Sequence, residues 1–264
     1  NIHPFFSDDT YFYIEIAENI YKGAGSTFNG IIPTNGYHPL WALILSAFGG
    51  WLSSEAGTLL FVRGLSYLLY VCAVYLIYEY VRRSGEPLFV SIALFPISLL
   101  LASTGATGSE AFLSFLSIAL VLLLFLRQKE DGGWRQHATF GAALGIMMLA
   151  RLDNVFLAGF VCLLSLRSVG ITVVARYILF ASLLVLPYLA HNFVQFGHIT
   201  PISGSLKSSF PIIGPNIGDV SPLHTLIVGG VVVLLPLFFR WTEAGRFRDS
   251  VLALSAASVV QYGY

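Results

Sequence analysis

The sequence predicts an all-α integral membrane protein, a polytopic helical bundle with an amphipathic juxtamembrane helix in its first outer loop. Hydrophobic residues make up 56% of the 264 residues and charged residues only 11%, and the mean hydropathy is +0.77. Soluble domains carry about 25% charged residues. The apolar runs are continuous, which favours helices over a β-barrel, because a bilayer offers backbone groups no water to bond.

Charge and cysteine content argue against several classes of function. Lys plus Arg and Asp plus Glu both number 14, and no basic run is typical of a nucleic-acid-binding protein, so we expect no nucleic-acid partner. Cys72 and Cys162 lie within apolar runs, which indicates packing residues rather than a disulfide framework. The histidines lack the spacing of zinc ligands, so the sequence predicts no zinc site.

Several apolar runs are close to the roughly 20 residues that a membrane-spanning helix needs. These runs are Gly57 to Val81, Pro87 to Ser103, Ala111 to Leu126, Gly170 to Ala190 and Pro222 to Phe239, with a further run beginning near Ser250. Two shorter runs, Ala138 to Ala150 and Val155 to Leu166, flank the sequence RLDN. We predict that they form two short spans or a re-entrant pair.

The basic residues predict the orientation of these spans. If the spans alternate in direction, all the basic clusters fall on one side, which the positive-inside rule assigns to the cytoplasm. The clusters are Arg82 and Arg83; Arg127, Lys129 and Arg135; Arg167; and Arg240, Arg246 and Arg248. The opposite side then receives the polar segments 103–110, 151–154 and 191–221.

We expect two regions in the chain. Residues 1–56 form an outer loop with a juxtamembrane helix from Asp8 to Lys22 and a re-entrant or interfacial helix from Pro39 to Leu52, which is too short to cross a bilayer. Residues 57–264 form the transmembrane bundle. The sequence has no initiator Met and ends within an apolar run, so we expect a fragment that lacks a first helix and a C-terminal region.

The first helix begins with two adjacent carboxylates. Steps of about 100° place Asp9 on the same side as Tyr13 and Ile16, an unfavourable position for a carboxylate unless it faces a protein-lined cavity. A simpler interpretation is an N-cap at Ser7 or Asp8, with the helix dipole favouring an acidic first turn. The following stretch, GAGSTFNGIIPTNGYHP, is a shaped loop of the kind that often builds a site.

Four segments together resemble a known family. The stretch DTYFYIEIA, from Asp9 to Ala17, and the later HPLW resemble the first outer loop of the GT-C membrane glycosyltransferases, especially bacterial members with an Asp-Asp pair before GYxxPLW. TGSEAFLSFL, LARLDNVFL and NFVQFGHITPISGSLK follow in the order that this superfamily shows. The chain departs from the pattern at Leu152, where Pro is usual, and at His191 and Asn192, where Arg is common.

The resemblance implies an inverting glycosyltransferase that is similar to arabinofuranosyl- and mannosyltransferases. It would move a sugar from a polyprenyl-phosphate donor to an acceptor on the non-cytoplasmic side, most naturally of a bacterial inner membrane. The implied partners are membrane lipid and the lipid-linked sugar, with further subunits of a membrane complex left open. No cofactor is identified, and a need for a divalent metal is left open.

The resemblance also suggests roles for individual residues. Asp9 is the predicted base, with Asp8 as its orienting neighbour or a metal ligand. The predicted donor-phosphate ligands are Lys207, Arg151 and His191. The predicted substrate-binding residues are Glu110, Tyr11, Tyr37, His38 and Ser203. Simpler structural interpretations exist for three of these residues: a snorkelling lysine at Lys207, a helix-end ion pair at Arg151 and a first-turn carboxylate at Glu110.

Two other functions stay open. A transporter of lipid-linked sugars would also need a polar pocket, although it would normally show internal repeats or charges in the middle of its spans. We find no repeat, and Arg63 and Arg176 lie near the ends of their runs. A structural or accessory subunit would keep the same scaffold with its cavity filled.

Overall fold

The structure, a computed structural model, describes residues 6, 8–49, 54–85, 108–199, 201–202, 245, 248–254 and 257. The described part is helical and contains no strand, apart from an isolated antiparallel bridge between Thr27 and Pro33. Its named helices are α1 (Asp8–Tyr21), α2 (Pro39–Phe48), α3 (Glu55–Ser84), α4 (Ala111–Phe125), α5 (Trp134–Ala150) and α6 (Val155–Phe196). A 3-10 turn, Leu152–Asn154, joins α5 to α6, and residues 248–254 are also helical.

The helices agree closely with the apolar runs. The amphipathic helix predicted from Asp8 to Lys22 is confirmed as α1, and its buried residues include Tyr13 and Ile16. The ten residues of α2 extend roughly 15 Å, about half the thickness of a bilayer core. The predicted spans Pro87 to Ser103 and Pro222 to Phe239 lie outside the described residues.

Two helical segments are long and apolar enough to cross a membrane, namely α3 and the run Leu152–Phe196. Most of their residues are not buried. On α3, for example, Leu60 is 73% exposed and Val71 is 62% exposed. Contiguous apolar surface of this kind usually contacts lipid or another protein. These helices support membrane association, whereas the polytopic bundle stays a prediction.

The long helix α6 is interrupted at Gly170. Its φ of 74° and ψ of 169° belong to a region that is open essentially to glycine alone. Asn154 bonds Met147 near the end of α5, and Arg176 contacts His137 near its beginning. The part 155–169 therefore runs antiparallel to α5, and the part 171–196 runs parallel to it, which matches the two separate runs in the sequence.

Helices α3 and α4 pack side by side in the same direction. The Ser66 side chain accepts a hydrogen bond from Gly108 just before α4. The ring of Tyr70 makes an edge-to-face contact with Phe112 in the first turn of α4. The last turns of both helices share an apolar cluster of Tyr80, Val81, Leu122 and Leu123. Gly85 and Gly108 consequently lie at opposite ends of the pair, as the predicted orientation requires.

The packing gives the described bundle two chemically different ends. One, which we call the basic end, carries Arg82, Arg83, Arg127, Lys129, Arg135 and Arg167. Val251 and Leu254, from the helical segment that follows Arg248, pack against the cluster at this end. The other, which we call the site end, carries His38, Gly108, Glu110 and Arg151. The basic clusters that the structure describes thus lie on one side of the bundle.

Two glycines bring the backbones of α5 and α6 together. A Cβ added to Gly141 would lie 2.6 Å from the carbonyl oxygen of Tyr177, and one added to Gly145 would lie 3.0 Å from that of Ala181. Glycines four residues apart allow the close backbone approach that is common between membrane helices. The sequence GAALG therefore fixes the contact between α5 and the second part of α6.

We predict that Gly141→Ala destabilises the protein. The added methyl group meets backbone atoms, and overpacking of this kind costs about 1–3 kcal/mol. Gly159→Ala is the matched control, because a Cβ at this helical glycine meets nothing within 4 Å. Thermal unfolding in detergent should show a lower midpoint for Gly141→Ala and an unchanged or higher one for Gly159→Ala. Equal midpoints would contradict the close packing.

Candidate functional site

Gly108 joins three helices to the start of α4. Its carbonyl accepts a hydrogen bond from Trp41 Nε1 at 2.9 Å, and its N–H donates to Ser66 Oγ at 3.1 Å. A Cβ on Gly108 would lie 2.3 Å from the methyl group of Thr10, so the two residues are in direct contact. Its φ is 89°. The segment that carries Glu110 is thereby fixed to α1, α2 and α3.

Glu110 is the centre of a polar cluster at the site end. It directly precedes α4 but makes no side-chain capping bond, and its side chain is 13% exposed. Its Oε1 lies 3.7 Å from His38 Nε2 and 3.9 Å from Arg151 Nε, and the carboxylate also interacts with the Tyr13 hydroxyl. Three predicted site residues, His38, Glu110 and Arg151, are thus brought together.

His38 connects the first loop to the RLDN turn. Its Nδ1 accepts a hydrogen bond from the Leu152 N–H at 3.3 Å, and its backbone N–H donates to the Tyr13 hydroxyl at 3.0 Å. Because Nδ1 is the acceptor, we assign the proton of the neutral ring to Nε2, the nitrogen that faces Glu110. The ring therefore joins residues that are 114 positions apart.

The RLDN turn is held by polar contacts on both sides. Arg151 and Asp153 form two parallel hydrogen bonds, of 3.2 Å and 3.0 Å, so the ion pair suggested by the simpler interpretation is present. The Asn154 amide donates to Ser114 Oγ and to the Met147 carbonyl, both at 2.9 Å. The Arg151 side chain remains 40% exposed, so a ligand could reach part of it.

Tyr13 belongs to the cluster, although the sequence analysis assigned it only to the apolar face of α1. Burial and then the negative charge of Glu110 raise the pKa of Tyr13 well above its usual value, and the charge of Asp9 adds to this. The phenol therefore stays protonated and donates rather than bearing a charge. The sequence did carry a sign of this role, because the residue at this position of the apolar face is a Tyr rather than an aliphatic residue.

The predicted catalytic pair lies at the beginning of α1. Asp8 and Asp9 are both exposed, and Thr10, the next residue, is fully buried against Gly108. A neighbouring cavity of about 390 Å³ between α1 and the first turns of α3 is lined by Tyr11, Phe28 and Thr58, among others. Tyr11 and Asp9 therefore face different sides of α1.

Tyr37 lies in the first loop, and the fourth segment lies next to that loop. Tyr37 is buried, which raises the pKa of its phenol against the opposing effect of a hydrogen bond with Ser26. Asn35 Oδ1 accepts a hydrogen bond from the Ile202 N–H at 3.1 Å, across 167 positions. His191 is exposed on α6. Ser203 and Lys207 lie outside the described residues.

Within the described ranges, no group of three His, Cys, Asp or Glu side chains is placed to hold a metal ion. Comparisons with protein-family models, with curated proteins and with solved structures found no match to this chain.

We predict that Gly108→Ala destabilises the protein by about 2–4 kcal/mol, since the methyl group meets Thr10 and a non-glycine residue is strained at this φ. Gly133→Ala is the control, because a Cβ at Gly133 meets nothing within 4 Å. The midpoint of thermal unfolding measures the difference. Adding Thr10→Ala should restore part of the loss, and a double variant no more stable than Gly108→Ala would argue against the contact.

We predict that Tyr13 makes the protein less stable at alkaline pH. Its folded-state pKa is raised above 10.0, so above about pH 10 the unfolded chain releases a proton that the folded protein keeps. Stability then falls as pH rises, by at most about 1.4 kcal/mol per pH unit from this group. Denaturant unfolding between pH 9 and 11 should show a shallower decline for Tyr13→Phe than for the wild type. Tyr21→Phe, at an exposed position, should decline as the wild type does.

Proposed function

We infer that this chain is a membrane-embedded, inverting glycosyltransferase of the GT-C type. It moves a sugar from a polyprenyl-phosphate donor to an acceptor on the non-cytoplasmic side. The observation that supports this proposal is that all four segments resembling the superfamily meet at the site end. Helix packing alone does not require polar contacts among four segments so far apart in sequence.

Specific contacts join the four segments. Thr10, the neighbour of Asp9, touches Gly108 of the second segment. His38 contacts both Glu110 of the second and Leu152 of the third. Asn35, in the loop between the first helix and HPLW, holds Ile202 of the fourth. The first loop is therefore the element on which the other three segments assemble.

In the proposed reaction, Asp9 is the general base. Its carboxylate takes the proton of the acceptor hydroxyl as the oxygen attacks the anomeric carbon. The bond from that carbon to the phosphate oxygen breaks, the phosphate leaves with the bonding electrons, and the configuration inverts. An exposed carboxylate beside a buried polar cluster suits this role, because acceptor and solvent can both reach it. Asp8 orients Asp9.

The leaving phosphate needs cations or N–H donors. Arg151 offers the positive charge of a partly exposed side chain, while Asp153 and Glu110 fix its position. Lys207 and His191 complete the proposed set. Lys207 is proposed from the sequence alone, in the segment that follows the Ile202 contact.

The charges of the bundle support the proposed orientation. The described basic clusters lie at one end, which the positive-inside rule assigns to the cytoplasm. The site end then faces the opposite side, where a lipid-linked donor presents its sugar. We propose a bacterial inner membrane as the location.

The test is sugar transfer in membranes that contain the full chain, supplied with a panel of radiolabelled polyprenyl-phosphate sugars. We predict that Asp9→Asn lowers transfer by roughly 10²–10⁴-fold, the usual contribution of a general base. The control is Glu130→Gln, an exposed carboxylate at the basic end, which should keep near-normal transfer.

The same assay separates the alternatives. Transfer by Asp9→Asn at the wild-type rate would remove Asp9 as the base. Failure of the wild type to transfer any sugar of the panel, in membranes where it is folded, would favour a transporter or an accessory subunit.

A further inference from the structure

The part of the first loop between α1 and α2 has an apolar tip, which we define as residues 28–33. Ile31 is 80% exposed, Ile32 is 66% exposed and Phe28 is 48% exposed. No Asp, Glu, Lys, Arg or His occurs between Gly23 and Tyr37. Two adjacent isoleucines with this exposure, in an uncharged loop, are unusual on a surface that meets only water.

The base of the tip is held in a fixed shape. The Thr34 N–H donates to the Ser26 carbonyl at 2.8 Å, next to the bridge between Thr27 and Pro33. From α1, the Asn19 amide donates to the carbonyls of Thr27 and Phe28 at 3.0 Å and 3.1 Å. The isoleucines are therefore presented by an ordered loop that is tied to α1.

Asn29 satisfies the backbone N–H groups of both isoleucines. Its Oδ1 accepts from Ile31 N at 3.1 Å and from Ile32 N at 2.8 Å. At an aqueous surface, water would accept hydrogen bonds from these N–H groups. In hydrocarbon, each N–H group must find its acceptor within the protein. The side chain of Asn29 thus provides what entry into a lipid phase requires.

The tip lies near the first turns of a candidate span, across a cavity that Glu15, Glu18 and Glu55 also line. Phe28 stacks on Phe12 of α1, with ring centroids 4.9 Å apart, and lines the same cavity as Thr58 and Leu59 at the start of α3. Leu60, the next residue of α3, is 73% exposed. The tip is therefore level with the first turns of a helix that is long and apolar enough to cross a bilayer.

From these contacts we propose that Ile31 and Ile32 insert into the hydrocarbon of the lipid leaflet at the site end. The occupant of this surface is lipid, because the tip is uncharged, its isoleucine N–H groups are internally paired, and it lies level with the first turns of α3. Insertion would hold α1, and with it Asp9, at the membrane surface. This anchoring does not depend on whether the chain transfers sugar.

The experiment places a fluorescent probe at single cysteines in the full chain reconstituted into phosphatidylcholine vesicles. The background carries Cys72→Ala and Cys162→Ala, and the probe is NBD attached at Ile31→Cys or Ile32→Cys. Leu68→Cys, on the exposed face of α3, is the lipid-facing reference. Ala24→Cys, an exposed residue near the base of the same loop, is the aqueous reference.

We expect the probes at 31 and 32 to show blue-shifted emission like that at 68, with quenching by nitroxide-labelled lipid and little quenching by iodide. Emission and iodide quenching like those at 24 would overturn the proposal. Quenching by neither agent would also overturn it, since protein would then cover the tip. None of these readouts involves glycosyl transfer, so they succeed or fail independently of the proposed activity.

Discussion

The contact between Gly108 and its three neighbours is the constraint on which the rest of the site depends. Both of its backbone polar groups are bonded, to Trp41 and Ser66, and its Cα surface is covered by Thr10. Only glycine combines this φ with the absence of a side chain. Because Glu110 follows two residues later, the position of the central carboxylate is set by backbone packing.

Around that junction, each polar group in the cluster holds another in place. Glu110 is largely buried and faces His38, Arg151 and the Tyr13 hydroxyl, and a carboxylate with so little solvent needs such partners. His38 in turn positions the RLDN turn through Leu152. The exposed carboxylates of Asp8 and Asp9 lie at the edge of this network, and the charge of Asp9 acts on the Tyr13 phenol.

The sequence predicted the helices well because apolar runs and their 3.6-residue period determine them directly, as in α1 and at Gly170. The family resemblance also named His38, Glu110 and Arg151 as site residues; the structure brings their side chains together, while their roles in binding stay predictions. The sequence did not predict the role of Tyr13, whose ring packs as an apolar residue while its hydroxyl reaches a remote carboxylate. The sequence did not predict the contact between Gly108 and Thr10 either. The two residues are 98 positions apart, and no local sequence pattern indicates such a pair.

The most direct test of convergence at one end is chemical cross-linking within the folded chain. A pair of cysteines at Asn35 and Ile202, in a chain without Cys72 and Cys162, would be treated with a short bifunctional thiol reagent in the membrane. We expect efficient intramolecular cross-linking for this pair and none for a control pair at Asn35 and Arg167, because Arg167 lies at the basic end. Failure of the first pair to cross-link, or equal yields for both, would contradict the common site.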